Sequence, residues 1–395
     1  MGIVNRLLGW VFSREYYEKN FENLLVIIDF YDHRRGGHFG AWLKWFALEF
    51  SARFDRIVVL TPVPKVTGAL FAGEGDNPRQ NISFAKLPRG HQRRFDLNGI
   101  LGRFGSVHGK VAGFVMWGYD LLDCGVVRPT KYPWATLQGI SWKFRGNENE
   151  NSAREGKLLE IVEGDDSCKG FFQPDFYLRD RHEKGVWITD IEVIATCEIE
   201  TPLLRSIREF GEKRLCVGVF GMLHGYRCVD EILLLARQQK DVNFVIAGKV
   251  FRDGVRKDLV GDLESGRCDN LLIYPNFIET EMELNSAIRT VDAVFIDGCH
   301  YPVQSGIVCK ALHFGKWILS SRGDSWTNDV IAESGAGFTY PTRDADLIRR
   351  WEEWQSDDGE DRSRDYSKRL RDRSTVTGCF DEIAARLLNG DIFES

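Results

Sequence analysis

RLCVGVFGMLHGYRCVDEILLLARQQKDVNFVIAGK, residues 214–249, holds an apolar run, a glycine-bearing turn, an amphipathic stretch and a second apolar run. The same alternation continues through LLIYPNFIE (271–279), DAVFID (292–297), SGIVCKALHFG (305–315), KWILSSRGD (316–324) and AGFTYPT (336–342). Short Val/Ile/Leu runs bounded by turn residues and separated by helical patterns predict a parallel sheet covered on both faces. In such sheets a ligand sits beyond the carboxyl ends of the strands, where the glycine turns fall.

The first half repeats the theme. LLVIIDF (24–30) is a fully apolar strand, YDHRRGGHFG (31–40) is a turn, and AWLKWFALEFSARF (41–54) is a helix whose Trp42, Trp45, Phe46 and Phe50 share one face, widened by Leu43 and Leu48. RIVVLTP (56–62) closes the unit, and further strands are predicted at NISFAKL, VAGFVMW, YPWATLQ and GVWITDI. SAREGKLLEIVE (152–163) reads as a helix. Residues 192–212 read as a connector, and QSDDGEDRSRDYSKRLRDRS (355–374) as a mixed-charge exposed stretch. The division expected is an amphipathic segment over 1–22, a first Rossmann-like domain over 23–200, a second over 213–372, and a terminal helix over 373–395.

A chain of 395 residues suits two domains rather than one core. The nine cysteines form no CxxC pair, which points to reduced thiols and a cytoplasmic setting. No metal centre is expected, since Cys299-His300 and His33…His38 lack zinc-ligand spacing. No apolar run reaches the roughly 18 residues of a membrane span. Residues 1–22 place Ile3, Leu7, Leu8, Val11 and Phe12 at near-helical spacing, either to pack on the first domain or to lie in a membrane interface. Between Arg79 and Lys110 the bases Arg79, Lys86, Arg89, Arg93, Arg94, Arg103 and Lys110 face a single acid, Asp96. This stretch is either a solvated loop region or a surface for anionic lipid, worth about 1 kcal/mol per base. Nucleic acid is disfavoured by the net charge of −6 and the lack of a binding motif.

The ordered segments VFGMLHGYRCVDEILLLA (219–236), VNFVIAGK (242–249), LIYPNFIETEMELNSAIRTVDAVFID (272–297), QSGIVCKALHFGKWILSSRGD (304–324) and ESGAGFTYPTRDADLI (333–348) resemble family four of the retaining glycosyltransferases. The resemblance implies the GT-B fold: α/β, two Rossmann-like parallel-sheet domains facing a central cleft. FDEIAARLL (380–388) is similar to the terminal helix that crosses back onto the first domain in that fold. The resemblance further implies a nucleotide-diphosphate sugar as donor and a glycan or lipid-linked acceptor, with no cofactor. Its donor side falls on Gly221, Asn276, Phe277, Gln304, Ser305, Gly306 and Lys310. Arg227 and Lys249 are candidate partners of the diphosphate, which arginine's planar fork suits. Gly36, Gly37 and His38 form a glycine loop on the acceptor side, where exposed N–H groups near a helix start can approach a substrate.

Two departures from the family pattern bear on activity. The family's paired glutamates, eight positions apart, fall on Pro302 and Lys310 when Gly315 is aligned with the family's glycine. In the family the second glutamate binds ribose hydroxyls, and the first lies near the transferred sugar. Losing one charge-assisted hydrogen bond weakens donor binding by about 1.5–3 kcal/mol without abolishing it. The histidine that many relatives place on the first domain falls on Gln138, which is no general base; Asp120 is the alternative carboxylate at a strand end. The expected function is a glycosyltransferase, hexosyltransferase-like and peripheral on a membrane if the basic stretch and residues 1–22 bind lipid. The alternatives are a catalytically inactive glycan-binding or partner subunit, and a GT-B epimerase or phosphorylase.

Overall fold

The strand runs read from the sequence pair into two separate sheets in the computed structural model, which describes residues 21–31, 39–71, 81–87, 96–118, 130–137, 150–173, 184–188, 200–211, 214–223, 229–250, 255–265, 268–276, 278, 280–296, 305–323, 325–340, 346–370 and 372–389. Chain contacts divide into two units, one of residues 1–189 and 373–395, the other of residues 190–372.

The first unit contains β1 (Asn23–Ile28), α1 (Phe39–Phe50), β2 (Arg56–Thr61), α2 (Pro64–Phe71), β3 (Ile82–Lys86), α3 (Leu97–Gly105), β4 (Lys110–Val115), β5 (Trp134–Leu137), α4 (Glu150–Gly164), β6 (Cys168–Gln173) and β7 (Gly185–Trp187). Its seven strands run in the order β3-β2-β1-β4-β5-β6-β7, with every pairing parallel. Alternate residues of β1 serve the two faces. Leu24, Val26 and Ile28 join Leu97, Ile100, Leu101 and Phe104 of α3 and Leu158, Leu159 and Val162 of α4. On α1, Trp42, Leu43, Phe46 and Phe50 are buried as its apolar stripe predicts, while Trp45 and Leu48 are half-buried.

The second unit contains α5 (Pro202–Gly211), β8 (Cys216–Leu223), α6 (Asp230–Gln238), β9 (Asn243–Val250), α7 (Lys257–Ser265), β10 (Leu271–Tyr274), α8 (Glu281–Thr290), β11 (Ala293–Ile296), α9 (Gly306–His313), β12 (Trp317–Ser321), α10 (Trp326–Ser334), β13 (Gly337–Tyr340), α11 (Leu347–Ser356) and α12 (Gly359–Leu370). Its six parallel strands run β10-β9-β8-β11-β12-β13. Helices cover both faces: α6 and α11 build one core, and α5, α8, α9 and α10 build the other. Residues read as a connector thus include a packed helix, because Leu203, Leu204 and Ile207 of α5 form an apolar stripe buried in the second core.

The mixed-charge stretch after α11 is likewise more than a surface segment. Most of its side chains are exposed, but Gly359, Ser363 and Ser367 of α12 recur every four residues and are buried on one stripe. Beside them Tyr366 and Leu370 pack against the core that α9 shares. The approach is close: a Cβ on Gly315, just past α9, would lie 2.6 Å from Glu360 Cγ.

After Asp372 the chain rejoins the first unit as α13 (Arg373–Asn389). Phe380 is fully buried there, with ring centroids 4.9–5.3 Å from Phe172, Phe50, Phe46 and Trp45. Arg53 Nε reaches Asp381 Oδ1 at 2.7 Å and its guanidinium donates to the Thr377 carbonyl at 3.1 Å. Gly170 of β6 permits this seat, since a Cβ there would meet Ile383 Cδ1 at 2.5 Å.

The described members of the basic stretch do not form one surface. Lys86 ends β3 beside Thr61, whereas Lys110 begins β4 beside Asn23. In a parallel sheet these are opposite edges, about 17–20 Å apart for strands of this length. Arg103 lies in the last turn of α3, and all three bases are exposed. Residues 1–20 and Arg79, Arg89, Arg93 and Arg94 lie outside the described residues. Among the described residues no helix is long and apolar enough to cross a membrane.

Cys168, Cys216, Cys268 and Cys309 are buried, as core positions require. Burial pushes the Cys168 and Cys216 thiols up to about 12, so neither offers a thiolate nucleophile at neutral pH.

Candidate functional site

In the second unit the chain steps outward from β8 to β9 and β10, then returns to β11 and continues to β12 and β13. The reversal between β8 and β11 is the switch point at which open parallel sheets bind ligands. The pairing there is short. β8 and β11 align only at Val217–Ala293 and Gly218–Val294, although β8 continues to Leu223 and β11 to Ile296. β8 instead stays paired with β9 through Leu223–Val250. Beyond Gly218 the described ladder of β8 is therefore carried by β9, and the carboxyl ends of β8 and β11 flank the switch point.

Two glycines shape the β8 side. Gly221 and Gly248 sit opposite each other, with φ of +110° and +139°. At Gly248 a Cβ would lie 2.0 Å from the Gly221 carbonyl oxygen, so the two backbones approach too closely for any side chain. At Gly221 nothing among the described residues lies within 4 Å of the Cβ position, so its backbone borders open space. Lys249 follows at the strand end and is exposed.

The β11 side carries the start of α9. Ser305 is its N-cap, buried, with φ −118° and ψ 121° and no side-chain capping bond. The first N–H groups of α9, from Gly306 onward, carry the positive end of the helix dipole, which suits an anionic group at this edge.

Lys310 lies one turn further along and is fully buried. Its Nζ is 3.1 Å from Glu281 Oε2, an ionic contact set off the line of a hydrogen bond. Glu281 opens α8, where the Thr280 hydroxyl caps the helix by accepting from Glu283 N at 3.1 Å. Burial raises the Glu281 carboxyl above the ordinary carboxylate range. Lys310, expected to offer its charge to a donor, has no exposed surface here and faces a carboxylate of the same unit. A side chain long enough to bridge two helices is turned inward there, which the local sequence does not encode.

Asn276, two residues beyond β10, is exposed at the same edge. The structure thus brings Gly221, Lys249, Asn276, Ser305 and Gly306 to the carboxyl edge of one sheet. Arg227, Phe277, Pro302 and Gln304 lie outside the described residues, as do Gly36, Gly37, His38, Asp120 and Gln138 of the first unit. Sequence reasoning did not single out Glu281 or the facing position of Gly248. It also passed over Asp29, which ends up 1% exposed just past β1, at the reversal between β1 and β4, with its Oδ1 accepting from Tyr31 N at 3.1 Å. Among the described residues no group of three or more His, Cys, Asp or Glu gathers to hold a metal ion.

No protein-family model and no curated protein matches the chain. Solved structures do. Anabaena HepE, crystallised with UDP and glucose, superposes with a TM-score of 0.59 at 13% identity, over 93% of this chain and 100% of that one. A UDP-forming α,α-trehalose-phosphate synthase from Burkholderia vietnamiensis gives a TM-score of 0.55 at 13% identity, over 94% and 99%. A glycosyltransferase from Rickettsia africae gives 0.54 at 12% identity, over 95% and 100%. Two Rossmann-like units with all-parallel sheets of seven and six strands are thus the GT-B fold that these proteins share.

Proposed function

We propose that the chain is a glycosyltransferase that moves a sugar from a nucleoside-diphosphate sugar to a glycan or lipid-linked acceptor, with retention. The observation that carries this reading is the switch point between β8 and β11, with the bare backbone of Gly221, exposed Lys249 and the uncapped start of α9 at its carboxyl edge. Its likeness in fold to proteins crystallised with UDP and with UDP-glucose supports the same assignment.

In this reading the diphosphate lies against the first N–H groups of α9, with Lys249 and Arg227 as its counter-charges. The bond between the donor's anomeric carbon and the diphosphate oxygen breaks, and that oxygen takes the electron pair. The acceptor hydroxyl forms the new bond on the same face and passes its proton to the departing diphosphate. No general base is required of Gln138, and Asp120 assists only by orienting the acceptor. The acceptor approaches the loop of Gly36, Gly37 and His38. Charge neutralisation on the leaving group supplies most of the acceleration, for which loss of one such partner typically costs about 10²–10³ in rate. Residues 1–22 would hold the protein at a membrane bearing a lipid-linked acceptor.

A second reading, a catalytically silent glycan-binding relative, is favoured by one finding. The place of the family's second glutamate holds Lys310, already engaged with Glu281. Release of nucleoside diphosphate from UDP-, GDP- and TDP-sugars by the purified chain separates the two. Turnover of one donor, reduced at least tenfold in Arg227→Ala, is expected. No turnover of any donor, with and without acceptor glycans, would establish the silent relative.

A further inference from the structure

We infer that His108 is a proton-controlled latch on the chain leading into β1: its neutral imidazole holds Phe21, and uptake of a proton lets go of the chain ahead of that residue. Three observations carry it.

First, the hold needs a bare ring nitrogen. The backbone N–H of Phe21 donates to His108 Nδ1 at 3.4 Å. A neutral imidazole offers one donor and one acceptor, so the ring's single proton belongs on Nε2. The bond is long, and a proton on Nδ1 turns it into two donors facing each other. The ring is carried on a fixed backbone, since Val107 N and His108 N donate to the Phe104 carbonyl of α3 at 2.9 and 3.0 Å. The Phe21 and His108 rings lie 5.4 Å apart, centroid to centroid.

Second, the latch acts on one side of Phe21 only. On the β1 side the chain is tied by bonds that protonation of His108 leaves in place. Gly109 N donates to the Phe21 carbonyl at 3.0 Å, and Lys110 N to the Glu22 carbonyl at 2.7 Å. Asn23 N donates to Asp55 Oδ2 at 3.0 Å, and Asp55 N returns to the Asn23 carbonyl at 3.1 Å. β1 then enters its ladders with β2 and β4. Release is therefore local and leaves the sheet intact.

Third, the surroundings favour the neutral ring. His108 is buried, and burial lowers its proton affinity below that of an exposed histidine. The charged groups on the elements around it are Glu22 ahead of β1, Asp55 and Arg56 at the approach to β2, Arg103 in the last turn of α3, Lys110 at the start of β4 and Lys131 ahead of β5. Of the two acids, Asp55 already accepts from Asn23 N, and Glu22 is exposed. The Arg56 guanidinium lies 5.7 Å from the centre of the Phe21 ring, so a charged His108 would be a second cation beside that ring. The carbonyl end of α3 favours a charged imidazole, and burial outweighs it. The folded protein thus binds this proton less readily than the unfolded chain. The hold is complete above about pH 6.5 and is lost as pH falls through the lower value of the folded state.

Release frees the segment proposed above to hold the protein at a membrane. That destination rests on the earlier reading; the release does not, and its test needs neither nucleotide nor membrane. NMR titration of the full chain from pH 8 to 5, labelled in phenylalanine amides and histidine rings, provides it. The Phe21 amide, assigned by its loss in Phe21→Leu, is expected to shift with a midpoint below 6.5 that matches the His108 ring. The Phe114 amide of β4 is expected to stay still. His108→Asn, which keeps an acceptor near the place of Nδ1 but does not titrate, is expected to abolish the Phe21 shift. Trypsin cleavage after Lys19, scaled to the same bond in a free peptide at each pH, is expected to rise about threefold or more between pH 7.5 and 5.5. In His108→Asn it stays level. A His108 ring that titrates while Phe21 stays still, or cleavage that does not change with pH, would overturn the latch on the unaltered protein alone. A Phe21 shift that survives in a folded His108→Asn would overturn it as well. So would a Phe114 shift in step with Phe21, since the whole sheet would then be responding.

Discussion

Phe380→Ala destabilises the first unit by about 3–5 kcal/mol, the range for deleting a fully buried phenylalanine side chain. The ring is the wedge by which α13 seats on the sheet, in contact with Phe172 of β6 and with Trp45, Phe46 and Phe50 of α1. Edge-to-face pairs of this kind add about 0.5–1.5 kcal/mol each beyond the area they bury. Arg53 packs over the same ring at 5.7 Å while its Nε holds Asp381, so the cavity also loosens that tie. Amide exchange resolved by segment is the suitable measurement. Faster exchange is expected in β1, β4 and β6, with β8, β9 and β11 unchanged, although α13 follows the second unit directly in sequence. Uniform acceleration of both sheets, or none, would contradict this account of α13.

Gly248→Ala is the second large effect. A left-handed backbone costs a side chain about 1–2 kcal/mol, and forcing a methyl group into a close-packed site about 1–3 kcal/mol more. The Cβ would stand 2.0 Å from the Gly221 carbonyl oxygen, so the β8–β9 ladder must shift at the carboxyl edge. A drop in melting temperature together with loss of nucleotide binding is expected. Gly221→Ala makes the useful contrast. Its φ of +110° is also unfavourable to a side chain, but the space beside it is open. The smaller backbone cost alone should apply there, about 1–2 kcal/mol. The methyl group would project into that open space at the carboxyl edge, so Gly221→Ala should keep the fold and weaken nucleotide binding. Equal destabilisation by the two substitutions would contradict the assigned geometry.

The two sheets were legible because buried parallel strands are nearly continuous apolar runs. NLLVII and RIVVLT leave no other reading, and NFVIAGKV shows its exit to solvent at Lys249. The strand CKGFFQ (168–173) was not legible. Its pattern is broken by Lys169 and Gly170, and the glycine is there for the close passage of Ile383, more than two hundred positions away. Helices α2 and α3 were hidden by their glycines, Gly68, Gly99 and Gly102, which oppose helix formation locally and are outweighed by burial of Phe71, Ile100, Leu101 and Phe104. In α12 the apolar signal is replaced by small residues every fourth position, a pattern that shows only once α9 is laid against it.

The site was legible to the extent that it is backbone. Glycine turns and helix starts are written locally, so the sequence could put Gly221, Ser305 and Gly306 at strand ends and a helix start, which is where they lie. Glu281 was not, since acids in the first turn of a helix are ordinary partners of the helix dipole. Only the contact with Lys310 across two helices sets it apart. The same contact explains why Lys310, read as a ligand for the donor, faces inward.

The central claim is that a nucleoside diphosphate binds at the carboxyl edge of the second sheet. Amide exchange of the full chain with and without saturating UDP, GDP or TDP tests it most directly. The account predicts slowed exchange at Gly221–Leu223, Gly248–Val250 and the first turn of α9 for at least one of them. Protection confined to the strands of the first unit, or no protection by any of the three, would contradict it.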